Sequence, residues 1–470
     1  MRGILLERIE MASPALCGVG NFISGVPGLD IADVTIRDSS FLMQALPSAA
    51  DWKETYLQER EADNPGAGIF GGPMPSHFLY VRHARNVNLQ NVSVKVVGSG
   101  ETRPAVVSDV PGEVSLKGCA FEVAEREPAP PAVLGDEGIK GLLHPNPKRD
   151  VSLNPEWRNM FHTFRSSVDR SIQPLYWYDP GTTDAVPLVV ALHSWGASCH
   201  WSSPGETVLG YCRKKGWAMV YPNYRGPNVR PEACGSDLAV QDILDAVEWA
   251  KAVRKIDASR IYIIGGSGGG HMTLLMAGRH PEVFAGAAAF CPITDLRRWH
   301  ADSLVRRNEY AEKMEKSCGG TPAERPEEYS MRSPLTHLHR AREAGLPVYI
   351  VTGIHDGHSG SVPVGHSIRA FNALADEKDR ISKDEIAFIE ANEAVPEHLA
   401  FKGEDPFYAK RDRVHLRATS AAARLTIFEG GHGGNYPAGL DFLSRQRRGK
   451  PADFTLPATA EAGSVESITR

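Results

Sequence analysis

The sequence predicts an α/β protein: a doubly wound, mostly parallel sheet, preceded by a small all-β segment that reads as part of a parallel β-helix. Three observations carry this. From Pro187 onward, six continuous apolar runs alternate with helical stretches, the pattern of parallel strands covered on both faces. Between the second and third runs, Ser236–Val253 spaces its apolar residues as an amphipathic helix, with Ser236 placed to cap it. Before all of them, three stretches alternate apolar and polar residues with the two-residue period of a strand.

Taken in order, residues 1–125 hold the alternating stretches Ile31–Phe41, Asn86–Val96 and Glu113–Val123. The last two are offset by roughly 27 residues, about one coil of a β-helix. A plain β-sheet would carry the same alternation. Residues 126–150 fall in a stretch rich in proline and charge that lacks a period, "EREPAPPAVLGDEGIKGLLHPNPKRD", and read as a linker. The α/β domain spans 151–450, with strands expected at Pro187–His193, Trp217–Asn223, Arg260–Gly266, Ala285–Pro292, Pro347–Gly353 and Arg424–Gly430. Residues 451–470 are polar and rich in small side chains, and read as a loosely held tail.

Composition narrows the function. The chain has 470 residues, 42% of them hydrophobic and 23% charged, with a formal net charge of −5. That is the make-up of a soluble globular protein, and it offers nucleic acid no basic footprint. No apolar run reaches the ~18 residues of a membrane helix, so no membrane partner is expected. "MRGILLERIE" places charges where a signal peptide would be apolar. Seven cysteines are scattered without C-x-x-C spacing, and "HLH" at His337–His339 has no acidic ligand nearby in sequence, so neither metal nor cofactor is implied. Cys199 and Cys234 flank candidate site loops; a disulfide between them and two free thiols both fit.

The chemistry centres on Gly265-Gly266-Ser267-Gly268-Gly269, a G-x-S-x-G match between the apolar run "RIYII" and the helical stretch "HMTLLMAGRH". A strand–turn–helix of this kind presents a strained serine as a nucleophile and frees the next backbone N–H, that of Gly268, for an oxyanion. A glycine loop that cradles phosphate is the alternative. A serine nucleophile needs a base oriented by an acid. Asp356 follows the fifth run in "GIHDGHSGS", and His432 follows the sixth in "FEGGHGG". His271, His355, His358 and His366 compete with His432, but none follows the final strand. The loop after the first run, "LHSWGASCHWSS", is placed to offer a backbone N–H from Ser194 or Trp195. Trp195 and Trp201 could form an apolar or sugar-stacking wall. Arg225 and Arg230, in "YRGPNVRPEACGS", could bind substrate carboxylates or brace their loop through carbonyls or Asp237.

These blocks carry a resemblance. Residues from about Arg158 to Gly434 resemble α/β-hydrolases of the acetylxylan-esterase and prolyl-oligopeptidase superfamily. "LHSWGA", "PNYRGPNVRPEACGSDLAVQDILDAVEWA", "GGSGGGH", "FCPITDL", "IHDGHSGSVPVGHS" and "FEGGHGG" look most like carbohydrate esterases associated with pectin, including pectin methylesterase-like members. The resemblance implies an α/β-hydrolase fold, a Ser267–His432–Asp356 triad, and methyl or acetyl esters of a pectin-like polysaccharide as substrate. That substrate class implies the periplasm or the exterior. Upstream, "VPGLDIADVTIRDSSF", "NPGAGIFGGPMPSHFLYVRHARNVNLQNVSV" and "RPAVVSDVPGEVSL" resemble the C-terminal coils of polygalacturonase-type glycoside hydrolases. The paired aspartates of those enzymes, in Asn-Thr-Asp and Asp-Asp motifs, do not occur here. The segment therefore reads as a non-catalytic remnant that has lost its upstream coils. Two other readings compete: a prolyl-oligopeptidase-type serine peptidase, which would usually carry a propeller with repeats of about 40–50 residues, and a carbohydrate-binding protein with a decayed hydrolase.

Overall fold

The computed structural model describes residues 2–12, 21–24, 31–45, 76–98, 101–108, 111–123, 133–135, 155–408, 412–457 and 466–467. The chain divides into two compact units, Met1–Leu153 and Asn154–Arg470.

Every strand pair in the first unit is parallel among the described residues. One sheet stacks Arg2–Glu7, Ile31–Gln44, Ala84–Val97 and Val114–Lys117; the other stacks Asn21–Ser24, Leu79–Arg82, Val106–Ser108 and Val133–Gly135. Val87 pairs with Val114, Leu79 with Val106 and Val106 with Val133, each 27 residues apart. The chain thus returns to each sheet once per coil, as a parallel β-helix does. Val133–Gly135 lies within the expected linker but continues this stack; the rest of 126–150 lies outside the described residues.

The long strand Ala84–Val97 buries Ala84, Val87, Leu89, Val92, Val94 and Val96. Its two-residue alternation slips at Asn86 and Asn91, which hold left-handed φ of 50° each. The extra residue bends the strand while keeping apolar side chains inward. These corners stack: Asn86 Nδ2 donates to Asp33 Oδ1 at 2.7 Å, and Asn91 Nδ2 to Asp38 Oδ1 at 2.8 Å. Asp33 and Asp38 are left-handed too. Asn and Asp tolerate this region best among residues with a side chain.

The second unit is built on a nine-stranded sheet. Its strands are β1 (Phe161–Arg165), β2 (Ile172–Tyr178), β3 (Val186–Leu192), β4 (Ala218–Pro222), β5 (Ile256–Gly266), β6 (Gly286–Phe290), β7 (Val348–Gly353), β8 (Val414–Ser420) and β9 (Ala423–Phe428). Their order across the sheet is β1-β2-β4-β3-β5-β6-β7-β9-β8. The six from β4 to β9 in that order pair in parallel, while β1, β2 and β8 join antiparallel at the two ends of the sheet. All six expected runs are these parallel strands. They are apolar throughout because helices cover both faces: β3, β6 and β7 are buried at every residue. The helix Asp237–Val253 is capped as expected, with Ser236 Oγ accepting from the Ala239 N–H at 3.1 Å.

The described residues of the tail are held by contacts. Arg424 donates to the Phe454 carbonyl at 2.6 Å, the Phe454 ring stacks on Phe442, and Glu466–Ser467 pairs antiparallel with Gly433–Gly434. No helix among the described residues is long and apolar enough to cross a membrane.

Candidate active site

Ser267 stands between β5 and the helix Gly268–Arg279 with φ 56° and ψ −116°. A left-handed φ on a residue with a side chain costs energy and persists only where the surroundings impose it. Here they do. The Ser267 N–H donates to the Phe290 carbonyl of neighbouring β6 at 2.8 Å, and the Ser267 carbonyl accepts from the His271 N–H at 2.8 Å. The helix is pressed so close to β3 that a Cβ on Gly269 would sit 2.4 Å from the Leu192 carbonyl oxygen. The glycines are a packing requirement of the turn.

The same crowding locates two amides. A Cβ on Gly268 would sit 2.3 Å from the backbone nitrogen of Trp195, so the loop after β3 delivers the Trp195 amide beside that of Gly268. Among the described residues, neither N–H donates to a backbone carbonyl. Of the two candidates in that loop, Trp195 is the one against Gly268. The Ser194 carbonyl accepts from the Ala197 N–H at 3.2 Å and faces the His193 ring.

Asp356 follows β7 and His432 follows β9. These strands are adjacent and end level, Gly353 opposite Phe428. His432 Nδ1 donates to Asp356 Oδ2 at 2.8 Å, and Asp356 Oδ1 accepts from the Val362 N–H at 3.2 Å. Both side chains are buried. Gly360 covers the pair, since a Cβ there would lie 2.7 Å from the His432 Cβ. Burial opposes a charged His432 imidazole, but the Asp356 carboxylate outweighs it and holds the proton well above the usual imidazole range.

One neighbour escaped the sequence reading. The buried Cys291, just past β6, donates its thiol to the Gly433 carbonyl at 3.1 Å. Burial pushes that thiol up, so it stands as neutral S–H. Cys291, Asp356 and His432 bring donor atoms within 4.8 Å of one another. Only its position at the end of the fourth apolar run could have flagged it.

The competing histidines are engaged elsewhere. His271 Nε2 lies 2.7 Å from the Arg332 carbonyl, and burial lowers its pKa to about 4. His366 Nδ1 faces Thr294, His358 Nε2 the Glu390 carbonyl, and His355 two glutamates.

The candidate substrate contacts are engaged within the protein. The Arg225 guanidinium is spent on carboxylates: it donates to Asp242 at 2.5 Å and to Asp169 at 2.7 Å, and its side chain is 8% exposed. Arg230 donates to the Arg225 carbonyl at 2.9 Å. Both brace their loop, while Asp237 pairs with Arg279 instead. Trp195 is 2% exposed and packs edge-on against Trp299, with ring centroids 4.7 Å apart. It is core rather than an open stacking wall. Trp201 is half-buried, and its carbonyl accepts from Tyr221 Oη at 2.8 Å. Cys199 and Cys234 are buried and form no disulfide with each other.

Residues 206–392 match the family model of the prolyl oligopeptidase family. With the strained serine between β5 and its helix, and the Asp356–His432 pair beyond β7 and β9, this decides the fold. The second unit has the α/β-hydrolase fold. Among curated proteins, the chain is 26% identical to acylamino-acid-releasing enzyme 1 of Oryza sativa subsp. japonica, over 42% of this chain and 26% of that protein. It is 31% identical to feruloyl esterase B of Neurospora crassa, over 25% of this chain and 42% of that protein. The chain therefore spans less than half the length of either relative. Among solved structures it is similar to the acylaminoacyl peptidase of Pyrococcus horikoshii, at 18% identity and a TM-score of 0.45, over 63% of this chain and 43% of that one.

Proposed function

We propose that this chain is a serine carboxylester hydrolase acting on esterified plant cell-wall polysaccharide, with methyl or acetyl esters of pectin-like chains as its substrates. One observation carries the reading: His432 is tied to a buried carboxylate, while the amides of Trp195 and Gly268, which have no backbone acceptor among the described residues, meet beside a strained Ser267. Ser267 Oγ attacks the ester carbonyl as His432 Nε2 takes its proton. The resulting oxyanion is held by the two amides, in a site where preorganised donors count most. Collapse expels the alcohol, which takes the proton back from His432. Water then attacks the acyl-enzyme by the same route in reverse. Asp356 keeps the imidazole in the tautomer this requires.

The feruloyl esterase relative supports an ester substrate. The acylamino-acid-releasing relative favours a second reading, hydrolysis of acylated peptides. The discriminating assay offers the full chain methylated pectin, acetylated pectin and N-acylaminoacyl amides in parallel, with methanol, acetate and free amine as readouts. Release of methanol or acetate well above the amine is expected. Amine release without either of the others would replace the esterase reading with the second one.

A further inference from the structure

His355 immediately precedes the acid Asp356, and Glu429 lies three residues before the base His432. The two side chains meet: His355 Nε2 is 2.6 Å from Glu429 Oε1. The other ring nitrogen, Nδ1, is 2.6 Å from Glu393 Oε2. A neutral imidazole has a single N–H and can serve one carboxylate; only imidazolium donates to both. We infer that His355, as an imidazolium, is a positioning residue that clamps the loop bearing Asp356 to the segment bearing His432.

The surroundings are arranged for it. Glu393 ends the helix Lys383–Asn392 in a left-handed conformation, φ 50°. Glycine is the usual occupant of such a cap, and a carboxylate at a helix C-terminus is unfavourable toward the helix dipole. Both costs are offset if Glu393 faces a cation. Around the clamp, Glu429 also accepts from His415 Nε2 of β8 at 2.8 Å, with Arg413 3.9 Å away. His358, on the same loop as His355, places Nδ1 3.7 Å from Glu393. Glu390, on the same helix, is occupied by Arg369 and Arg298. Partial burial opposes a charge on His355, yet the hydrogen bonds to Glu429 and Glu393 outweigh it and raise its pKa. Backbone hydrogen bonds join the same segments, from the His355 N–H to the Gly430 carbonyl at 3.0 Å. The clamp rests on the triad assignment and extends it.

A fluorophosphonate that labels Ser267 reads the site whatever its natural substrate. Its labelling rate, per titrated active site, should rise with pH as His432 loses its proton. His355→Gln should slow labelling by about tenfold or more, because a shift near 1 Å in a reacting group can cost ~10²-fold. His355→Arg keeps a permanent cation between the two glutamates and should restore the rate. A purely structural role would not make the variants differ in this way. NMR titration of the ¹³C-labelled histidines in the full-length wild-type chain adds a measurement that needs no variant: His355 should hold its proton above the range of free histidine. A His355→Gln protein with the wild-type rate and pH profile would overturn the clamp, as would a His355 that titrates at or below the free value. Labelling of wild type without ester turnover would overturn the esterase reading and leave the clamp standing.

Discussion

On the proposed mechanism, turnover depends on Ser267. Ser267→Ala should reduce ester turnover by at least ~10³-fold and leave the melting temperature unchanged, since alanine meets the same backbone strain as serine. Near-wild-type turnover by the purified variant would remove Ser267 from the mechanism. His432→Ala should nearly abolish fluorophosphonate labelling, while Asp356→Asn slows it less, because the asparagine disturbs tautomer and orientation but leaves the base in place. The pH dependence follows from the raised His432 pKa. An imidazolium cannot accept the serine proton, so activity is low in acid and rises through that pKa. The midpoint of this limb should lie above the ~6.5 of free imidazole. Asp356→Asn, by removing the carboxylate that holds the proton, should move the remaining limb to lower pH. A limb that stays put in the variant would mean another group sets it.

At the scale of elements, two junctions bear most of the geometry. The first is the contact between the loop after β3 and the helix after Ser267. In Gly268→Ala a methyl would have to enter the space of the Trp195 amide, pushing apart the two proposed oxyanion donors. Loss of one such donor costs about 10²–10³ in kcat, and kcat of the variant should fall by that much with KM little changed. The second is the brace around Arg225, which joins the loop after β4 to Asp242 in the helix Asp237–Val253. The Asp242 side chain has no exposure, so Arg225→Ala leaves a buried carboxylate without its partner. Such losses cost about 3–5 kcal/mol, a difference that denaturant unfolding resolves easily. Asp169 is 38% exposed and adds little to that figure. If Arg225 held substrate, the same variant would raise KM for uronate esters and leave unfolding untouched; the reverse is expected.

On the scale of the whole chain, a β-helical unit and a unit of α/β-hydrolase fold share one polypeptide, and the chemistry proposed for the second asks nothing of the first. Two carboxylates spanning a scissile bond are what glycoside hydrolysis would need there. Asp33 and Asp38 are instead bonded to the stacked Asn86 and Asn91, and Glu101 is paired with Arg103. Full-length Ser267→Ala should therefore release no reducing ends from polygalacturonate. A clear release by that variant would mean the coils retain glycosidase chemistry.

The six parallel strands were legible in the sequence because burial on both faces demands apolar residues at every position. The turn around Ser267 was legible because close approach of strand and helix demands glycine. Asp356 and His432 could be located by their place after particular strands. What sequence could not determine is anything set by a partner far along the chain. β1, β2 and β8 are antiparallel strands at the ends of the sheet with mixed faces, and they declare themselves only by pairing. Arg225 reads equally well as a substrate ligand until Asp169, 56 residues upstream, is found against it. Trp195 reads as a wall until Trp299 is seen to bury it. Cys291 and the His355 clamp arise where the ends of neighbouring strands converge. Local periodicity records how much of each residue is buried. Only the folded sheet decides which side chains are buried together, because strand order brings distant loops to one edge.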